Sequence, residues 1–320
     1  MKVLIVGLGQ IGMGYDIQLD PEKFVYSHAR AFDHHPFFHL SGGVDPEQQR
    51  REAFEQTYRC PAYPEIETAL RDQTPDLVVI AAPTQLHCQT LLQILKICRP
   101  RAILCEKPLS YDLDEARTMT KACQDAGVSL FVNYIRRSDP GAVEVHRRIE
   151  AGEIGTPVKG VVWYSKGFLH NGSHFFNLLE YWLGKMLNWK LIDRGRNCDG
   201  IDQEPDVRLS FEKGNVVFLA AREEDFSHYT VELLAPNGRL RYEQSGRQIQ
   251  WQQALRHAEL KNYTVLDDRI ENIKSGLDRY QWHVAEQLSR HFNGQKGDIC
   301  TAADALLTLE NMHRILEHGQ

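Results

Sequence analysis

The chain has 320 residues, of which 37 are basic and 43 acidic, for a formal net charge of -6. No basic stripe marks a nucleic-acid surface, and no apolar run reaches the roughly 18 residues of a membrane span. The length suits two domains, each able to bury a core.

Seven cysteines, an odd number without CxxC spacing, read as reduced core thiols and not as disulfides or a zinc site. The N-terminus reads as a strand and lacks a signal-peptide cleavage site, so a cytoplasmic protein is expected.

Lys2 to Val6 is an aliphatic run typical of a strand buried on both faces. It leads into Gly7-Leu8-Gly9-Gln10-Ile11-Gly12, a GxGxxG loop in the position that cradles a dinucleotide pyrophosphate. The helix that should follow is broken by Gly14 and Asp20-Pro21 and resumes near Ser27. Residues Met13 to Tyr26 therefore read as an insertion, either a lid or a solvated loop. Phe38 to Val44 is the second strand and ends at Asp45-Pro46. A carboxylate there bonds the adenosine ribose and repels a 2′-phosphate, which favours NAD; Arg50 and Arg51 keep NADP open.

Helices are expected over Glu47 to Tyr58 and Ile66 to Asp72, and the third strand over Leu77 to Ala82. Pro83-Thr84-Gln85-Leu86-His87 follows, with Thr84 as N-cap of a helix to Cys98. Ala102 to Leu104 is a short buried strand. It delivers Glu106-Lys107-Pro108 to the sheet edge where open α/β folds bind ligands. A Lys so placed is a candidate acid, base or oxygen ligand, and Pro108 a candidate cis residue. Asp112-x-x-Glu115 caps the next helix, and Val128 to Val132 is a strand ending at Asn133. Strands alternating with helices imply a parallel sheet, so residues 1–133 read as a Rossmann domain.

Beyond Asn133 the pattern changes. Asp139-Pro140 opens a helix, Val158 to Tyr164 is a strand, and a helix covers Phe175 to Leu183. Strand–turn–strand patterns then follow at 207–221 and 229–243, and Gln248 to Gln252 alternates apolar and polar. They imply a large, mostly antiparallel open sheet in an α/β domain over 134–320. Helices over Leu277 to Phe292 and from Thr301-x-x-Asp304 to Leu316 close the chain. His170 and His174 flank Asn171-Gly172-Ser173 at a helix start. With no local Cys or carboxylate, this is an acid/base pattern more than a metal site, and no metal is expected.

Taken together, the chain resembles the Gfo/Idh/MocA oxidoreductase family. The resemblance rests on Gly7-x-Gly9-x-x-Gly12, Asp45-Pro46, Pro83-Thr84-x-x-His87, Glu106-Lys107-Pro108, Arg137-x-x-Pro140, Ala151-Gly152-Glu153-Ile154-Gly155 and His174 before an amphipathic helix. It implies NAD(P)-dependent hydride transfer at a hydroxyl or ketone carbon of a sugar, polyol or nucleotide-sugar-like substrate. Lys107 would bond the reacting oxygen, and His174, with His170 beside it, would serve as acid/base. Gly7, Gly9, Gln10, Ile11, Gly12, Asp45, Pro83, Thr84, His87, Glu106 and Lys107 would hold the cofactor. A homodimer or homotetramer through the C-terminal sheet is also implied, with neither a nucleic-acid nor a membrane partner. A softer resemblance points to a subgroup of bacterial surface-glycan or nonulosonic-acid biosynthesis.

Family members commonly carry Asp four residues before the His and three after it; here those positions are His170 and Asn177. The departure leaves an alternative function: an NAD- and sugar-binding regulatory protein with weak or no catalysis.

Overall fold

The computed structural model describes residues 1–198 and 202–318. Strands and helices alternate through the first part of the chain as β1 (Lys2–Val6), α1 (His28–His34), β2 (His39–Val44), α2 (Gln48–Tyr58), β3 (Ala62–Tyr63) and α3 (Ile66–Gln73). They continue as β4 (Leu77–Ile80), α4 (His87–Ile97), β5 (Ala102–Cys105), α5 (Leu113–Ala126) and β6 (Ser129–Val132). These six strands form one parallel sheet in the order β3-β2-β1-β4-β5-β6. This is the doubly wound order, with its switch point between β1 and β4. Val3, Leu4, Ile5 and all of β4 and β5 are inaccessible to solvent. Each such Val, Leu or Ile contributes roughly 1.5–3 kcal/mol relative to exposure.

The next part comprises α6 (Pro140–Glu150), β7 (Val158–Tyr164), α7 (Ser173–Leu183), β8 (Met186–Asp193), β9 (Asn197–Cys198) and β10 (Asp202–Gln203). It continues as β11 (Asp206–Phe211), β12 (Gly214–Ala220), β13 (Thr230–Ala235), β14 (Gly238–Glu243), β15 (Gln248–Arg256), β16 (Thr264–Leu266) and β17 (Glu271–Ile273). Its large sheet runs β16-β15-β14-β13-β7-β12-β11-β8, with β17 also on β15; the β12–β7 pair is parallel and the others antiparallel. The chain closes with α8 (Tyr280–Phe292) and α9 (Ala302–His318). The α/β class with a parallel first sheet and a mostly antiparallel second one is the one expected.

The packing divides the chain into two units. The first joins Met1–Ser138 to Asp278–Leu307, and the second joins Asp139–Leu277 to residues from Thr308 onward. A single cut at 133/134 assigns Asp278–Leu307 to the second unit; the fold returns it to the first. There Val284, Ala285 and Leu288 of α8 join Phe32, Phe38, Leu77 and Phe131 in one core.

The expected break after the glycine loop is real. Ile11 O accepts from His28 N at 3.0 Å and Gly12 O from Ala29 N at 2.9 Å, so α1 resumes the helix that the loop begins. The intervening residues are organised by Asp16, fully buried, which accepts from Tyr26 N (2.6 Å), Ser27 N (2.8 Å) and Ser27 Oγ (2.7 Å). Arg30 lies 3.7 Å from that carboxylate and donates to Leu19 O and Phe24 O.

Most of the expected helix caps form. Asp112 accepts from Asp114 N and Glu115 N, Asp139 from Ala142 N, and Thr301 and Asp304 bond reciprocally. Thr84 is a correction: it opens a 3-10 turn over Thr84–Leu86, and α4 begins after Leu86 with no side-chain cap. Leu86 N donates to Pro83 O, so a backbone turn does the work expected of the hydroxyl.

Candidate functional site: a dinucleotide cleft and a histidine turn

In the first unit each glycine of the loop has its own steric reason. Gly7 has φ +99°, and a Cβ there would lie 2.6 Å from Ala81 O. At Gly12 a Cβ would lie 2.0 Å from Gly7 O. At Gly9 the nearest atom to a Cβ is Arg50 Nη1 at 3.9 Å, so this position faces open space. The cradle is closed below and open above, as backbone approach by a pyrophosphate requires.

A cleft of 850 Å³ opens over it. Gly7, Gly9, Gln10 and Ile11 form its floor, Asp45, Pro46 and Arg50 one end, and Ala81, Ala82 and Pro83 the switch-point side. Asp45 is almost fully buried; it accepts from Leu8 N (2.9 Å) and Glu47 N (2.9 Å), with Arg50 at 3.4 Å. Arg50 also pairs with Glu47 at 3.0 Å, and Arg51 donates to the carbonyls of Asp45 and Pro46. Both cations that kept NADP open are thus already engaged. Sequence reasoning missed Tyr15, Glu65, Glu67 and Gln89 in the cleft wall. Only Tyr15 carried a signal, its place in the insertion.

The other expected cofactor residues take different places. Gly12 lies beneath the loop, packed on Gly7. Thr84 is half-buried at the head of its turn. His87 turns into the core: Nε2 faces Ala82 O at 2.9 Å, and Nδ1 faces Pro108 O and Leu109 O at 3.2 Å. Burial pushes its pKa down, against the pull of those carbonyls.

Glu106 and Lys107 stand at the carboxyl end of β5, and the Lys107–Pro108 peptide is cis. Glu106 Oε1 meets His28 Nε2 at 2.7 Å and Asn133 Nδ2 at 2.6 Å, and Lys107 N donates to Oε2 at 3.3 Å. Burial alone would raise this carboxyl. The His28 and Asn133 bonds and the His28 and Lys107 charges outweigh it and hold Glu106 below the usual range.

In the second unit, β7 leads through Lys166, at φ +66°, into a wide π-helical turn over Gly167–Gly172, and α7 follows. Two carboxylates that sequence reasoning missed hold this turn. Asp202 accepts from Leu169 N (3.0 Å) and His170 N (2.9 Å), and Glu204 from Gly167 N (3.0 Å) and Arg196 Nε (2.6 Å). They satisfy amides that a helix start leaves unbonded. Burial raises the Asp202 carboxyl despite those bonds. His170 is exposed on the turn, and His174 is 8% exposed in the first turn of α7. Asn171 Nδ2 donates to Tyr229 Oη at 2.9 Å, and the Tyr229 ring stacks on Phe175.

Asn177, where the resemblance implies Asp, is buried and donates to Thr308 Oγ1 at 3.0 Å. Thr308 in turn donates to Glu180, which also accepts from Asn311 at 2.8 Å. Among the described residues no group of three His, Cys, Asp or Glu is arranged to hold a metal, and no helix is long and apolar enough to cross a membrane.

The model of the oxidoreductase family with an NAD-binding Rossmann fold, Gfo/Idh/MocA, matches residues 1–134. Residues 1–134 are a Gfo/Idh/MocA Rossmann domain. The cofactor named for the family, NAD, is the one read from Asp45.

The chain is 35% identical over 99 residues to scyllo-inositol 2-dehydrogenase (NAD(+)) of Bacillus subtilis (strain 168). That match covers 31% of this chain and 27% of the relative, so the chain spans about a quarter of that protein's length. A longer match, 25% identical over 239 residues, joins it to 2,7-anhydro-N-acetylneuraminate hydratase of Escherichia coli (strain K12); it covers 67% of this chain and 61% of the relative. Among solved structures, the WlbA dehydrogenase of Bordetella pertussis with NADH and UDP-GlcNAcA superposes with TM-score 0.76. It is 16% identical, and the superposition covers 100% of this chain and 97% of that one. At that identity the likeness concerns the fold.

Proposed function

We propose that the protein is an NAD-dependent oxidoreductase acting on a hydroxyl or ketone carbon of a sugar-like substrate. Lys107 and His174, with His170 beside the latter, would be the groups at the reacting oxygen. The observation that carries the reading is that the open Gly9 cradle, the buried Asp45 and the Glu106-Lys107 pair all lie at the carboxyl edge of one parallel sheet.

The cleft residues fit the cofactor: a pyrophosphate over Gly9, a ribose by Asp45, and no free cation for a 2′-phosphate at Arg50 or Arg51. NAD, when bound, supplies or accepts the hydride. The chain's own residues handle the oxygen and its proton. A Lys107 ammonium donates a hydrogen bond to the reacting oxygen and stabilises negative charge on it. An imidazole at His174 takes the hydroxyl proton during oxidation and returns it during reduction.

The substrate class proposed is a polyol, a nucleotide sugar or a sugar acid, the last favoured by the long match to the anhydro-sialic acid hydratase. A net hydration leaves no NADH behind, so the test needs two readouts. A panel of inositols, UDP-sugars and sialic acid derivatives is incubated with NAD, following absorbance at 340 nm and the product by NMR. Turnover that survives Lys107→Met unchanged would sink the mechanism. NAD binding without turnover of the panel would favour the regulatory alternative. The chain is further proposed to act in the cytoplasm as a homodimer or homotetramer through the second unit's sheet, a state that light scattering measures.

A further inference from the structure

Within the first unit two polar side chains that the proposed reaction does not use reach Glu106, and a third backs one of them. His28 comes from the first turn of α1, Asn133 from the end of β6 and Gln281 from the first turn of α8; each is 1% exposed. His28 Nε2 and Asn133 Nδ2 both reach Glu106 Oε1, and Asn133 Nδ2 is also 3.3 Å from Gln281 Oε1. A carboxylate only accepts, so Nε2 of His28 must carry the proton in this pair. His28 reaches this place because the helix resumes on Ile11 O and Gly12 O after the insertion. Its partner stands beside Lys107.

We propose that His28 is a positioning residue, which, with Asn133 beside it, holds Glu106 as an anion of fixed orientation next to the Lys107 ammonium. The consequence is that Lys107 stays charged and works as a donor to oxygen, not as a base. The inference rests on the reading of Lys107 given above.

The titratable groups facing Glu106 are few. Lys107 follows it and Cys105 precedes it; His87 faces it from α4 and Tyr280 from α8. Burial raises Cys105 and Tyr280 and lowers His87, so all three stay neutral around pH 7. The groups that keep Glu106 ionised are therefore His28, Asn133 and Lys107.

NADH binding, read by fluorescence, tests this without a substrate, so failure to find turnover bears on the proposed reaction alone. His28→Leu removes the donor, and burial then raises the Glu106 carboxyl. NADH affinity should fall ~tenfold near pH 6 and no more than ~threefold near pH 8, because a neutral carboxyl loses its charge-assisted bonds. His28→Gln keeps an N–H donor and should stay within ~threefold of the parent at both pH values. Asn133→Leu should show the same pH-dependent loss and carries the test if His28→Leu does not fold. A loss equal at both pH values, or one that His28→Gln does not rescue, overturns the proposal.

Discussion

The amide of Ala29 donates to the carbonyl of Gly12 across 2.9 Å, as though the residues between them were absent. The helix of the phosphate loop is cut by an insertion and rejoined, and Asp16 is what the insertion folds around. Asp16→Ala would strip the acceptor from Tyr26 N and Ser27 N and leave Arg30 without its carboxylate. Breaking a buried pair costs about 3–5 kcal/mol. Urea unfolding should report that loss, and limited proteolysis should cut first within 19–23, where the insertion is exposed.

The second and third glycines of the loop should separate folding from binding. Gly12→Ala drives a Cβ into Gly7 O, so a loss of at least ~4 kcal/mol or no folded protein is expected. Gly9→Ala meets open space and should melt within about 2 °C of the parent. Its Cβ would occupy the pyrophosphate's approach, so calorimetry should show NAD affinity reduced ~tenfold or more. Equal melting points for the two variants would contradict this division.

Asp45 braces the loop through Leu8 N, and the proposed reading gives it the choice of cofactor as well. Asp45→Ser should weaken NAD ~tenfold, and NADP should gain, because Arg50 loses one of its two carboxylates. Titration with both nucleotides decides it. If both affinities fall together, the brace is the whole of its role.

An acidic residue at 177 should harm the protein. The Thr308 hydroxyl donates to Glu180 and accepts from Asn177. Asn177→Asp replaces a donor with an anion facing an oxygen whose hydrogen points elsewhere, close to a second carboxylate. A loss of about 2–3 kcal/mol is expected, measured by chemical unfolding near pH 7, with partial recovery as the pH falls and the new carboxyl is protonated.

Stability should also fall on mild acidification. Burial lowers the His87 and His35 pKa values below the ordinary 6.5. As pH drops below 6.5 the unfolded chain takes up protons that the folded one refuses, so stability is lost from there down to the lowered folded values. The melting temperature followed from about pH 8 to pH 5 checks this, and His87→Gln should flatten part of the slope. A profile unchanged by that substitution would place the effect elsewhere.

What the sequence determined by itself was local. Apolar runs, glycine spacing and capping residues located five of the six parallel strands, the phosphate loop, the insertion and the helix starts, because each depends on neighbours within a few residues; the two-residue edge strand Ala62–Tyr63 is too short to leave such a pattern. The switch to hairpins foretold the second sheet for the same reason. Only the tertiary structure decided that α8 returns to the first unit. It alone paired His28 with Glu106 across 78 residues, Asn133 with Gln281 across 148 and Asn177 with Thr308 across 131. It also put Asp202 and Glu204 on the histidine turn. Such partners are chosen by which polar groups are buried together, and a buried polar group must find a partner wherever the fold brings one. No periodicity or spacing along the chain records that choice.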